Sequence, residues 1–479
     1  MSTKVGITAF GAYIPYSRIT RRLIADAWDR GAQKGERSVA GTDEDSVTMA
    51  VEAGRQCFWA AERNSITDVY FASVTPPYAE KSSAALAAAA CDLPEDISTA
   101  DFSGSAKSGT DALKAALDAA AAEAARKVLV TASDCRKGYP KSDKEQLLGD
   151  AAAAVVVGSE NILVELIGSA GVSTEIIDIW RNTHDEFLNV GEGRFISTEG
   201  YMSAMTRAVK AVLAKTGLTA ENIDRVIFTT PDLRSHTSLA KKLNFSPEKV
   251  QDPLMLTVGD CGSTQGLLLL VHALEHAAPG ETILLAAYGN GANAFVFRTT
   301  EGIARAEHHS VERFLADKRM LDSYAKFLSF RDSLKLNPGE PFRTFPSNAG
   351  TWREQHSILR YHGSRCKRCG ETIFPVNRVC NHCGSVDEFE EVAMQDRVSR
   401  VFTYTIDRLA GRGDDPIVVQ TVAEDPDGCR HYVLMTDFEE GEVHPGMEVE
   451  YTFRRIYEGG NYINYFWKCR PVRKENTKE

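Results

Sequence analysis

Two stretches of this chain repeat one another, and that repetition limits the fold more than any other feature of the sequence. Ile66–Pro76 (ITDVYFASVTP) and Ile223–Pro231 (IDRVIFTTP) each read as a turn, an apolar strand and a polar exit. Short helical stretches follow both, at Ser82–Leu93 and Ser238–Phe245. Ala106–Asp134 and Cys261–Gly289 then each join a small-residue turn, an apolar helix and a strand, VLVTAS against ILLAAY. The offset stays at about 155 residues, as two fused copies of one unit require. Apolar runs alternate with Ala-rich helical stretches, the pattern of α/β units on a largely parallel sheet. Strands are predicted at Lys4–Phe10, Asp68–Val74, Lys127–Ala132, Ala151–Val157, Arg225–Thr229, Thr282–Ala287 and Ala292–Arg298, and a helix over Ser108–Ala125.

The expected domains are two α/β halves over 1–165 and 166–300, a helical linker over 301–352, a metal ribbon over 353–390 and a small β barrel over 391–474. The linker carries charged helical pieces and ends in PGEPFRTFPSNAG, whose Pro, Gly and Asn mark a boundary. Beyond it, VSRVFTYTID, PIVVQTVAE, HYVLMTDF and MEVEYTFRRI read as short strands of an OB-like barrel. A net charge of -11 argues against a nucleic-acid binder, and from Ser347 onward 18 Lys and Arg face 22 Asp and Glu. No apolar run reaches the length of a membrane span and no signal pattern opens the chain, so a cytoplasmic protein is expected.

Cys366-Lys-Arg-Cys369 and Cys380-Asn-His-Cys383 are two CxxC knuckles ten residues apart, each followed by Gly. Paired thiolates at this spacing can close a tetrahedral shell around one zinc ion and leave no position for water, which makes the expected role structural. His382 lies inside the second knuckle, but a fourth cysteine is already available.

Several short strings in the duplicated half resemble those of the thiolase superfamily, and within it the HMG-CoA synthase branch. Pro77-Tyr78-Ala79-Glu80-Lys81 is similar to the family's PYAxK, Gly193-Arg194-Phe195 to its GGRF and Tyr288-Gly289-Asn290-Gly291 to its SFGSG; Val226–Pro231 and Gly259-Asp260 occupy its VVFHQP and GNTYS positions. The ribbon and barrel resemble the small acyl-CoA-associated domain that accompanies such proteins. The resemblance implies a five-layer αβαβα core, acyl-CoA substrates, coenzyme A handling, and a homodimer or higher homo-oligomer.

The family uses a cysteine, a glutamate and a histidine, and this sequence carries none of them at the matching positions. Ala106, in Ser105-Ala106-Lys107-Ser108-Gly109-Thr110, stands at the cysteine, Val74 at the glutamate and Thr229 at the histidine. Methyl and hydroxyl groups cannot form and resolve a thioester. The favoured expectation is therefore a carbon-carbon step without an acyl-enzyme, an aldol or retro-aldol reaction on a 3-hydroxyacyl-CoA, which needs a base and an oxyanion hole. Two alternatives stand beside it: a Claisen-type synthase close to HMG-CoA synthase, and an acyl-CoA-binding scaffold without chemistry. Asp260 and Tyr78 are the candidate acid or base, with Tyr288 as a further donor and Gly289 and Gly291 offering backbone to the carbonyl. Asp260 is equally a helix cap in this position. Cys261, opposite Ala106 in the repeat, precedes a helix whose N-terminus could lower a thiol pKa. Arg194, Lys81, Lys107, Lys210 and His184 are the cations available for the phosphates of CoA.

Overall fold

The computed structural model describes residues 4–306, 308–334, 347–411, 415–459 and 462–473. They divide into two compact units: the first runs to Arg331 without Thr42–Glu44 and Ala89–Asp92, and the second comprises those two segments and the chain from Asp332.

Among the described residues of the first unit, nine strands form one mixed sheet. They are β1 (Gly6–Tyr13), β2 (Asp68–Ala72), β3 (Ser98–Phe102), β4 (Val128–Asp134), β5 (Ala151–Gly158), β6 (Val164–Ser173), β7 (Arg225–Phe228), β8 (Thr282–Tyr288) and β9 (Gly291–Thr299). The order β7-β8-β9-β6-β1-β5-β4-β2-β3 makes the duplication visible. Outward from the middle, β1, β5, β4, β2, β3 match β6, β9, β8, β7, with antiparallel pairs inside and parallel pairs toward each edge. A parallel bridge between Val226 and Val250 stands where the second half would carry its fifth strand. A short pairing, Gly6 with Glu165 and Ile7 with Val164, joins the two half-sheets.

Four helices complete the layers: α1 (Ser46–Arg55), α2 (Ser108–Ala122), α3 (Ser203–Thr216) and α4 (Gln265–Leu274). α1 packs on β1, β4 and β5, and α3 on β6, β8 and β9; α2 and α4 lie between the half-sheets, α4 touching strands of both. The arrangement is helix, sheet, helix, sheet, helix. Its cause is visible in α4, whose QGLLLLVHAL is apolar almost all round. A helix of that kind has no face for water and goes to a central layer. β4 and β5 are buried along their whole length, and β5 is accordingly a near-continuous run of Ala and Val.

Residues 301–331 belong to this unit and do not form the expected linker. Ser310 Oγ accepts the amide of Ala12 at 2.9 Å, and Phe314 meets Tyr13 edge-on with ring centroids 4.9 Å apart. The apolar positions of these pieces are what tie them down: Val311 and Phe314 are buried. Pro338–Pro346, the greater part of the expected boundary, lie outside the described residues.

The second unit holds a three-stranded sheet of His362–Cys366, Thr372–Ile373 and Phe389–Ala393. After it come β10 (Val398–Asp407), β11 (Val418–Glu424), β12 (Arg430–Met435), β13 (Glu448–Gly459) and β14 (Tyr462–Pro471), which close into a barrel in the order β10-β11-β12-β14-β13. Aromatic rings fill this unit: Tyr361 packs on Trp467 and Tyr451 with centroids 5.4 and 4.8 Å apart, and all three are fully buried.

Glu275, just after α4, is nearly fully buried. One carboxylate oxygen accepts Val311 N–H (2.8 Å) and Ser310 Oγ (3.0 Å), while the other is buried without a hydrogen-bond partner. Burial pushes its carboxyl up to about 7, against those hydrogen bonds. Between about pH 4.5 and 7 the unfolded chain has lost this proton while the folded chain keeps it, so stability falls as pH rises through that window and is level above it. Glu275→Gln is expected to remove this slope, worth about 2–3 kcal/mol. Urea unfolding of both proteins at pH 4.5 and 7.5 measures it, and parallel pH profiles would refute it.

Candidate active site

The site forms where the two repeats meet. The turn Ser105–Lys107 leads into α2, and the turn Gly262–Thr264 leads into α4. They approach so closely that a methyl on Gly109 would lie 2.2 Å from the carbonyl oxygen of Ser263. The loop after β8 closes on the first turn in the same way, since a methyl on Gly289 would come within 2.7 Å of the Lys107 nitrogen. These contacts gather Val74, Ala106, Thr229, Tyr78, Tyr288, Gly289 and Asp260 around a cavity of about 490 Å³. Residues Asp178–Asn182 of the loop after β6 form another part of its wall.

The three positions at which the family's chemistry was expected thus share one cavity, and none offers it a nucleophile or a base. The Thr229 hydroxyl accepts the Tyr288 amide (3.0 Å), and Val74 N–H donates to the buried carboxylate of Asp134 (2.8 Å). Ser105 lines the cavity too, its hydroxyl accepting Lys107 N–H at 3.3 Å. Ionisable groups stand elsewhere in the wall. The Tyr288 hydroxyl donates to Asp178 at 2.7 Å; burial and that carboxylate raise its pKa far above the ordinary tyrosine value. Asp260 accepts from Arg136 and from Gly262 N–H (3.1 Å), and Lys144 Nζ lies 3.7 Å from its other oxygen. Burial alone would raise the Asp260 carboxyl, but the two cations hold it below its usual value. Asp260 is therefore both a wall residue and a cap of the turn before α4, and a carboxylate stabilised in this way is a weak base. Tyr78 faces the cavity, with Lys81 Nζ 5.6 Å above its ring.

Three expectations need correction. Cys261 is fully buried, lies outside the cavity wall and has its sulfur 3.6 Å from the Gly259 carbonyl. Burial and the neighbouring Asp260 carboxylate push its thiol pKa up, opposite to the lowering expected of a helix N-terminus. Gly291 is not in the wall but packs its Cα on the Val172 carbonyl. Gly289 is in the wall, yet its N–H is spent on the Gly291 carbonyl at 3.0 Å. No backbone acceptor among the described residues takes the Ala106 N–H.

Of the five cations chosen from sequence, none lines the cavity. Arg194, Lys81, Lys210 and His184 are exposed, and Lys107 is paired with Asp111 at 2.7 Å. The cations in the wall are Arg136, Lys144 and Arg181. They sit in stretches without a motif, and only their position after β4 and β6, at strand ends that face the cavity, could have drawn notice.

In the second unit the sulfurs of Cys366, Cys369, Cys380 and Cys383 all lie within 4.8 Å of one another, with Cys366–Cys383 at 3.7 Å and Cys369–Cys380 at 3.6 Å. A tetrahedron with zinc-sulfur bonds of about 2.3 Å has edges of about 3.8 Å, so this donor set fits the ion. His382 is not part of the group.

A duplicated five-layer core, with a cavity where two helix-leading turns meet, defines a thiolase-superfamily protein. Residues 213–298 match the family described as 3-oxoacyl-[acyl-carrier-protein] synthase III C terminal. A hydroxymethylglutaryl-CoA synthase of Methanopyrus kandleri is 31% identical over 349 residues, which are 70% of this chain and 99% of that protein. One from Caldivirga maquilingensis is 30% identical over the same shares. A crystal structure of an HMG-CoA synthase complexed with CoA covers 72% of this chain and 95% of its own, at a TM-score of 0.62 and 17% identity. The HMG synthase of the curacin biosynthetic pathway, in complex with an acetyl donor-ACP, covers 82% and 100% at 0.63 and 19%. The chain belongs to the hydroxymethylglutaryl-CoA synthase family.

Proposed function

We propose that this protein is a CoA-thioester condensing enzyme whose carbon-carbon step runs without an acyl-enzyme, as an aldol addition or its reverse on a 3-hydroxyacyl-CoA. One observation carries the reading: Val74, Ala106 and Thr229 line the same cavity as a hydrogen-bonded tyrosine-carboxylate pair, Tyr288 and Asp178. The thioester carbonyl is held at the Ala106 N–H. In the cleavage direction, Tyr288 takes the proton of the substrate 3-hydroxyl and passes its own to Asp178. The bond between C2 and C3 breaks, its electron pair enters the thioester enolate, and the carbonyl product leaves. Return of the proton to C2 completes a CoA thioester. Substrate binding by CoA is supported by a structural relative that is complexed with CoA.

The relatives' name favours a second reading, a Claisen-type synthase with a covalent acyl-enzyme. Its nucleophile would have to be Cys261, and full burial opposes that role. No helix among the described residues is long and apolar enough to cross a membrane. The exposed edge strand β3 supports pairing with a second copy, as expected for a homodimer. The four convergent thiols support a structural zinc ion, which would cross-link the two knuckles of the ribbon when bound.

Incubation with labelled acetyl-CoA is expected to leave no stable label on the protein, while a 3-hydroxyacyl-CoA is cleaved to a shorter thioester and a carbonyl compound. Tyr288→Phe should lower kcat by about 10²–10⁴ with binding retained. Stable label that disappears in Cys261→Ala would establish the synthase in its place, and ester binding without any turnover would leave a scaffold. Metal analysis of the purified protein should find one zinc per chain, lost together with ribbon structure in Cys380→Ser; a full-length protein free of zinc at native stability would sink that assignment.

A further inference from the structure

We propose that the end of α4 carries a second metal site, in which His276, His309 and Glu312 hold a divalent transition ion such as zinc. One ligand atom from each of the three lies within 4.8 Å of those of the other two. His276 Nε2 and Glu312 Oε1 are already 3.1 Å apart. A tetrahedral shell with metal–ligand bonds of about 2.0–2.1 Å has edges of about 3.3–3.4 Å, so this pair spans one edge and a shift of the His309 side chain closes the others. Two imidazoles and a carboxylate are a donor set of open zinc sites, where water takes the remaining position. The side chains of His276 and Glu312 are 38% and 54% exposed, which gives an ion and its water access.

The backbone brings these donors together. The His276 N–H donates to the Ala273 carbonyl (3.2 Å), so its imidazole extends the last turn of α4. His309 is the N-cap of the helix Ser310–Ala316 and Glu312 its third residue, a spacing at which side chains meet. Glu275 fastens the two segments, since its carboxylate accepts Ser310 Oγ and Val311 N–H. The residue beside each histidine is thereby anchored: Glu275 next to His276, and Ser310 next to His309.

An ion pair of His276 with Glu312 is the plainer account, and the surroundings ask for more than that. The Nδ1 atoms of His309 and His272 are buried without a hydrogen-bond partner, a costly state for a polar atom. The ring of His272, one turn back on α4, lies 5.5 Å from that of His276, which lies 5.8 Å from that of His309. Three imidazoles around one carboxylate offer more lone pairs than a single ion pair uses. Among the described residues no Lys or Arg pairs with Glu312, and Arg225, which reaches the His276 carbonyl (3.2 Å), is taken by Glu281. A second group of two histidines and a glutamate, His356, His362 and Glu391, lacks this character. There Glu391 accepts from both rings, and the other nitrogen of His362 faces Asp92 (3.0 Å). None of His276, His309 and Glu312 lines the cavity, so the part of the ion is structural. It would clamp the end of α4, whose start carries the Asp260 turn, to the helix Ser310–Ala316, as an exchangeable ion in addition to that of the ribbon.

Calorimetric titration of the full-length protein with zinc chloride tests this, starting from protein that holds one zinc per chain in the ribbon. The wild type is expected to take up one further equivalent and to melt several degrees higher when it does, as mass action requires of a ligand of the folded state. Glu312→Gln and His309→Ala should each weaken the second uptake at least about tenfold and lose the rise in melting temperature, with ribbon zinc unchanged. Cobalt offered to the same protein should give visible ligand-field bands without a sulfur-to-cobalt charge-transfer band. Absence of a second equivalent in the wild type would overturn the proposal, as would a charge-transfer band on the added cobalt or undiminished uptake by both variants. The cobalt spectrum is read on the wild type and decides the matter even where a variant fails to fold.

Discussion

Everything in the site depends on the close approach of two turns, the one before α2 and the one before α4. Each turn belongs to one copy of the repeat, and they meet because both helices are squeezed into the layer between the half-sheets. Glycine at 109 and at 289 is a steric requirement there, since a methyl at either position would overlap main-chain atoms of the opposing turn or loop. Rigid main chain on both sides gives the cavity its wall, and the side chains around it inherit their positions from that packing.

The three positions to which the family resemblance assigns a thiol, a carboxyl and an imidazole hold Ala106, Val74 and Thr229 in one cavity wall, and charged side chains stand around them. Arg136 and Lys144 reach Asp260 from a segment after β4, and Asp178 reaches Tyr288 from the loop after β6. Buried charges are retained only when partnered. Each pair is consequently a structural element of the cavity wall.

The second unit solves a different problem. It is small, and its barrel holds a dense group of rings around Tyr361, Tyr451 and Trp467. The four convergent thiols of the ribbon would, on binding a zinc ion, add a cross-link to that apolar packing. The core-forming residues alternate along β12 with exposed ones, as a barrel with one wet face demands.

Much of this was legible from the amino-acid order because local pattern and repetition are one-dimensional properties. The duplication, seven of the core strands, the α2 helix, the zinc knuckles and the barrel follow from periodicity and spacing. The strands β3 and β6 were not read, since STADF is polar and exposed and VELIGSAGVS is interrupted by small residues. The resemblance also placed Ala106, Val74 and Thr229 at the family's three reactive positions. Which ionisable groups stand around them could be read only from the tertiary structure. Asp260 and Arg136 are 124 residues apart and Tyr288 and Asp178 are 110 apart, and no local rule pairs residues at such distances. Burial acts in the same way: the Cys261 thiol, whose pKa a helix terminus would lower, has it pushed up by desolvation and by the neighbouring Asp260 carboxylate.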